Sequence, residues 1–245
     1  MARPAQIIAY GGGGFSMEGG NPRLDDHVLA LTERERPRVC FVPTASGDAD
    51  HYVVRFYRTF SATTETSHVS LFRRHRTSGS VEGCLREHLL SQDVIYVGGG
   101  SVVSLLGAWL AHGLDGILEE CWRNGTLLCG GSAGSLCWFQ EAVTAFHGPP
   151  RRVRGLGLLP FSNCVHYDAE PERRREFHEF VEQGMVAGYG ADDGCALHFV
   201  GTELHEVVAS KPHASAYRVE VVRGEAVETV LPARQLEAPA PALAA

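Results

Sequence analysis

The chain has 245 residues, of which 44% are hydrophobic and 21% charged, a globular composition that excludes a wholly disordered protein. Its formal net charge of −7 argues against a broad nucleic-acid-binding face. It lacks the run of roughly 18 apolar residues needed to span a bilayer, and the first residues lack the long apolar core of a secretory leader. The chain is therefore read as cytoplasmic, without a membrane or nucleic-acid partner.

In chain order, Gln6–Tyr10 is an apolar run closed by the glycines at 11–14, which reads as a first strand and a tight loop. Residues 24–32 are periodic and helical, 38–43 form a second buried strand, and 51–60 return to helical spacing. A third strand is expected over 68–72, a short helix over Leu85–Leu90, and a strand over 93–97 that ends in Gly98-Gly99-Gly100. Helices over 101–110 and 114–122 precede a strand at 126–129, and a further helix begins near 135–139. Residues 146–157, with Pro149-Pro150, read as a loop, and 163–166 as a strand end. A helix follows over 171–183, with Pro171 suited to its first turn. The segments Cys195–Val200, 203–210 and 216–223 alternate like antiparallel strands. Strand, loop and helix recur, so the expected fold is α/β: a doubly wound, mostly parallel sheet with an antiparallel C-terminal portion. One domain is expected over 1–230, with an Ala/Pro-rich tail over 231–245.

The seven cysteines include no CxxC pair, which suggests neither a disulfide framework nor a zinc knuckle. The only lysine, Lys211, precedes Pro212, so a phosphate-binding loop of the GxxxxGK[ST] type is excluded. His178-Glu179 and His205-Glu206 begin like HExxH but lack the second histidine, so no zincin site is expected.

The sharpest motif is Gly130-Gly131-Ser132-Ala133-Gly134, the GxSxG form of a nucleophile elbow. A serine on a tight strand-to-helix turn exposes its hydroxyl and sets the next amide, that of Ala133, where an oxyanion would form. Gly98-Gly99-Gly100-Ser101 ends a neighbouring strand, and both loops are expected at the carboxyl edge of the sheet, where ligands bind. A hydroxyl needs a base. His166 suits it by context, although spacing alone does not separate it from His147 or His178. The acid that orients the base is sought at Asp192-Asp193-Gly194 or Asp168. The arginines at 173–175 offer a guanidinium for a substrate carboxylate.

Six segments, Gly-Gly-Gly-Phe-Ser-Met at 12–17, Val-Pro-Thr-Ala-Ser at 42–46, Tyr-Val-Gly-Gly-Gly at 96–100, Gly-Gly-Ser-Ala-Gly at 130–134, Asn-Cys-Val-His-Tyr at 163–167 and Asp-Asp-Gly at 192–194, run along most of the chain. In this order they resemble peptidase E, the aspartyl dipeptidase family of serine peptidases. The resemblance implies a fold similar to class I glutamine amidotransferase domains. It also implies Ser132 as nucleophile, His166 as base, Asp193 as acid, and the amides of Gly100 and Ala133 as the oxyanion hole. Relatives carry Glu-Gly where this chain has Asp193-Gly194, and often Asn where it has Ser101. Substrate contacts are carried over to Ser101, Arg173 and Arg174. The implied reaction is hydrolysis of short peptides with N-terminal Asp through an acyl-enzyme, with no metal or organic cofactor. A small peptide is the expected partner, and a homodimer is left open. The alternatives are a cyanophycinase-like hydrolase of β-aspartyl peptides and a non-catalytic binding module on the same fold.

Overall fold

Four of the five residues of β1 (Gln6–Tyr10) are buried, because this strand lies inside a sheet covered on both faces. The structure, a computed structural model, describes residues 3–18, 20–72 and 85–237. After β1 come α1 (Arg23–Ala30), β2 (Arg38–Val42), α2 (Asp50–Phe60), β3 (Glu65–His68), α3 (Leu85–Leu90), β4 (Val94–Val97), α4 (Val102–His112) and α5 (Leu114–Arg123). The chain continues through β5 (Leu127–Gly131), α6 (Ala133–Leu136), β6 (Phe139–Thr144), β7 (Arg151–Arg154), β8 (Leu159–Val165) and α7 (Pro171–Glu182). It ends with β9 (Gly188–Ala191), β10 (Cys195–Val200), β11 (Glu203–Ala209), β12 (Ala216–Val222), β13 (Glu225–Leu231) and β14 (Arg234–Gln235).

Eight strands form the first sheet in the order β14-β11-β10-β1-β5-β4-β2-β3. Strands β1, β5, β4, β2 and β3 pair in parallel, and β10 joins β1 antiparallel. The two-residue period of β1 feeds both faces. Ile7 and Ala9 pack with Leu105, Trp109 and Leu118 of α4 and α5. Ile8 and Tyr10 pack with Leu24 and Val28 of α1 and Phe56 and Phe60 of α2. Side chains as fully buried as Phe41 and Phe56 stabilise by roughly 1.5–3 kcal/mol each.

Of the three antiparallel strands expected near the C-terminus, β10 and β11 join the first sheet, and β12 belongs to a second sheet that the sequence does not announce. Six strands, in the order β13-β12-β9-β8-β6-β7, form a mixed sheet. Strands β6, β8 and β9 pair in parallel, whereas β7, β12 and β13 are antiparallel to their neighbours. Helix α7 packs on it through Phe177 and Val181, against Val143, Cys164 and Val219. The loop expected over 146–157 contains the edge strand β7. The helix expected near 135–139 is a single turn, after which the chain enters β6. The third strand lies at Glu65–His68, upstream of its expected place. The first residues of the segment expected as a tail from 231 belong to strands. Leu231 closes β13, and β14 pairs in parallel with β11. Residues 238–245 lie outside the described residues. No single helix among the described residues is long and apolar enough to cross a membrane. The described cysteines are buried free thiols, and burial raises the Cys129 thiol beside the elbow well above its ordinary value, as suits a strand-end thiol rather than a reactive one.

One buried acid makes the fold sensitive to pH. Asp25 of α1 accepts a hydrogen bond from Tyr96 at 3.1 Å, while its Oδ2 has no partner. Burial pushes this carboxyl from its ordinary 3.8 up to about 7, against the hydrogen bonds from Tyr96 and the Phe15 backbone. The stability this neutral acid contributes is complete below its unfolded pKa and is lost as pH rises through about 7. Asp25→Asn is therefore expected to gain on the native chain between about pH 4 and pH 8, by up to about 4 kcal/mol in urea melts. A difference that stays constant across that range would mean that Asp25 ionises normally in the folded chain.

Candidate active site

Two sheet edges meet at the site. Val97 of β4 pairs with Gly130 of β5, and Tyr10 of β1 pairs with Gly131, so the loops after all three strands emerge together. On the second sheet Val165 pairs with Ala191, which places His166 and Asp192-Asp193 side by side. The glycine loop after β1 joins the two edges. The His166 amide donates to the Gly11 carbonyl at 3.2 Å, and the Gly194 amide donates to that of Gly12 at 2.8 Å. Gly12 is needed here: a Cβ would lie 2.0 Å from Asp193 Oδ1 and 2.9 Å from His166 Cε1.

Ser132 occupies the elbow with φ 54° and ψ −117°, a strained conformation for a residue with a side chain. Gly134 permits the tight turn, because a Cβ there would meet the Val97 carbonyl oxygen at 2.1 Å. Buried Asn163 of β8 donates to Ser135 Oγ at 2.8 Å, which ties the turn after the serine to the strand before His166.

Ser132 Oγ lies 3.0 Å from His166 Nε2, and His166 Nδ1 lies 2.6 Å from Asp193 Oδ1. Burial works to raise the Asp193 carboxyl, but the His166 hydrogen bond and the charges of His166, Lys211 and Arg173 hold it below its ordinary value. Asp193 is thus an anion suited to holding Nδ1–H, which leaves the Nε2 lone pair toward the hydroxyl. Asp192 turns to the other side. Its Oδ2 accepts from the Ser215 amide at 2.9 Å and from Tyr217 at 3.3 Å. Asp168 accepts from the Asp193 amide at 2.9 Å and so fixes the backbone of the acid.

Ser132 and His166 open on a cleft of about 230 Å³, lined also by Gly100, Phe146, Glu170 and Arg173. Among the described residues, neither the Gly100 nor the Ala133 amide donates a hydrogen bond. The helix after the elbow has only four residues, so the turn offers the Ala133 amide rather than a long helix dipole. Arg173 is buried; it donates to the Val165 carbonyl at 3.1 Å and pairs with Glu170 at 2.7 Å, while its Nε has no partner.

Two expected substrate contacts lie outside the lining of this cleft. Arg174 turns away from the cleft, pairs with Glu228 and lies over the Tyr167 and Tyr217 rings at 4.7 and 4.6 Å. Ser101 caps α4, accepting from the Ser104 amide at 3.1 Å, and its hydroxyl lies 2.7 Å from His147 Nε2. It lines a neighbouring apolar hollow that meets the cleft at Phe146. His178 is bound to Tyr167 and Glu228, which removes it as a base for Ser132. Glu170 and Phe146 are cleft residues that sequence reasoning missed. Only their places, just before Pro171 and inside the Pro-rich stretch, could have hinted at them.

The family model of peptidase family S51 matches residues 7–207. A relative named uncharacterized peptidase YgaJ, from Bacillus subtilis (strain 168), is 46% identical over 233 residues, spanning 94% of this chain and 99% of that protein. Peptidase E of Streptomyces coelicolor (strain ATCC BAA-471 / A3(2) / M145) is 28% identical over 175 residues, 67% of this chain and 68% of that one. The crystal structure of a peptidase from an acI-B1 Actinobacterium superposes with a TM-score of 0.69 at 16% identity, covering 95% of this chain and 96% of that one, which is a likeness of fold. Two sheet edges that bring a serine, a histidine and an aspartate together are here the frame of a peptidase. The chain belongs to peptidase family S51, the peptidase E family.

Proposed function

We propose that the chain is a serine peptidase that removes N-terminal Asp from dipeptides through an acyl-enzyme. What supports this reading is the unbroken hydrogen-bond chain from Ser132 Oγ through His166 to Asp193, facing a cleft with two unengaged amides. His166 Nε2 takes the hydroxyl proton as Oγ attacks the scissile carbonyl carbon. The amides of Gly100 and Ala133 receive the oxyanion. His166 then gives its proton to the leaving amine. A water, deprotonated by the same nitrogen, attacks the ester, and collapse of the second tetrahedral intermediate returns the serine.

The cleft is small and carries Glu170 and Arg173 in its lining, which favours a short substrate with a free amino end over a polymer. Arg173 is the cation for the aspartyl carboxylate, and Glu170 beside it is the acceptor for the amino terminus. The open apolar hollow across Phe146 has room for the side chain of the departing residue.

The test is a panel of Asp-X, Asn-X, Leu-X and β-aspartyl-arginine substrates. Asp-X should be cleaved with the highest kcat/KM. Arg173→Met should lose the preference for Asp-X over Asn-X by on the order of 10–100-fold, since a hydrogen bond to a charged group is worth about 1.5–3 kcal/mol. Arg174→Gln, on the far side of α7, should keep that preference. Faster turnover of the β-aspartyl substrate would transfer the assignment to the cyanophycinase-like reading, and no turnover on any arm would favour a binding module.

A further inference from the structure

Away from the cleft, three side chains converge between α1 and the antiparallel edge of the first sheet. His27 comes from α1, His198 from β10 and Glu206 from β11. One ligand-capable atom from each lies within 4.8 Å of the other two. His27 Nε2 and His198 Nδ1 approach the same oxygen, Glu206 Oε1, at 3.8 and 3.6 Å. Neither imidazole nitrogen has a hydrogen-bond partner, although both are buried. His198 is 3% exposed and the His27 side chain 10%.

The tautomer of His198 makes this arrangement costly as it stands. With the Gln6 amide oxygen turned to it at 2.8 Å, Nε2 carries the ring proton. Nδ1 of the neutral ring then presents a bare lone pair to a carboxylate oxygen. Two acceptors facing each other in a buried place repel, and an unsatisfied buried polar atom costs about 1–3 kcal/mol. A cation between them converts that repulsion into three bonds.

We infer that His27, His198 and Glu206 form a binding site for a first-row transition-metal dication, Zn²⁺ being the best fit. Two imidazoles and a carboxylate are borderline donors of the kind Zn²⁺ takes, with water as the fourth ligand. Tetrahedral bonds of about 2.0–2.1 Å put ligand atoms roughly 3.3 Å apart. The observed 3.6 and 3.8 Å contract by a few tenths of an ångström, and the two imidazole nitrogens, within 4.8 Å of each other, close to the same spacing. The surroundings are those of a supported site. Gln6 holds the distal N–H of His198, and Arg234 donates to both oxygens of Glu206 at 2.8 and 2.9 Å. The residues span three elements, which is why no local HExxH spacing announces them. The ion would tie α1 to β10 and β11. Its role is structural, since none of the three ligands lines the cleft.

The experiment is a titration of the chelator-stripped chain with Zn²⁺ and with Co²⁺, followed by calorimetry and visible absorption. One ion per chain, four-coordinate Co²⁺ bands and a higher melting temperature with Zn²⁺ are expected. His198→Gln and Glu206→Gln should each abolish the Co²⁺ bands, and metal-free circular dichroism reports whether each variant folds. Gln6→Leu keeps all three ligands and should weaken binding by about 10–100-fold through the lost support of His198. The inference is overturned if the native chain takes up no ion at millimolar metal, or if uptake survives His198→Gln undiminished. Peptidase activity does not enter either readout, so this result stands apart from the substrate panel.

Discussion

Replacing Ser132 by alanine is expected to lower kcat by on the order of 10⁶-fold, the size seen where a serine hydroxyl and its base act as one unit. The backbone at Ser132 has φ 54°, which alanine tolerates no better and little worse than serine, so the variant should fold. Its cleft should still bind peptide, leaving KM within a few-fold, because the hydroxyl acts in the transition state rather than in ground-state binding. His166→Ala should cost a similar factor, for without Nε2 at 3.0 Å the hydroxyl has no acceptor for its proton. The double variant should be no worse than either single one. A fluorophosphonate probe followed by mass spectrometry gives an independent reading: one adduct on the native chain, none on Ser132→Ala. Turnover within tenfold of native in the alanine variant would remove Ser132 as nucleophile, whatever the hydrogen-bond chain suggests.

The parts of the fold legible from sequence are those with local causes. The strands β1, β2, β4 and β5 are apolar on both faces, and the loops that end them are glycine-rich, so each announces itself within about ten residues. The second sheet does not. Strand β7, Arg-Arg-Val-Arg, is a mostly exposed edge whose order comes from pairing with β6, not from any apolar pattern of its own. The same distinction separates the site residues. Ser132 lies in a motif whose geometry is local, and His166 follows a strand. Asp192 and Asp193 open a tight turn, closed by the Cys195 amide on the Asp192 carbonyl, and their side chains reach different partners. Which of them meets the imidazole depends on the register of β9 against β8 and on the glycine loop after β1, none of which is written at 192–194. Arg173 and Arg174 differ by one step of a helix. Glu228, 54 residues further along, draws Arg174 to the far side, a partner no reading of α7 alone supplies.

Asp193→Asn is expected to lower kcat at neutral pH by about 10⁴-fold while leaving the structure in place, and the reason is the direction of one proton. The native carboxylate accepts from Nδ1 at 2.6 Å, so Nε2 is bare and faces Ser132. An asparagine that turns its NH₂ to the ring stabilises the other tautomer, with the proton on Nε2. That nitrogen then donates to the serine instead of accepting from it. The loss should therefore fall on kcat, not KM. Activity should recover in part at high pH, where hydroxide competes as the base. Asp192→Asn is the matched control. Its side chain bonds to Ser215 and Tyr217, so it should disturb the loop before β12 and leave kcat within a few-fold. Asp168→Ala falls between them: it removes the acceptor for the Asp193 amide, loosens the acid and should cost less than Asp193→Asn. If Asp192→Asn proved the damaging change and Asp193→Asn the mild one, the orienting acid would be Asp192, and the 2.6 Å contact of Asp193 would be an incidental pairing.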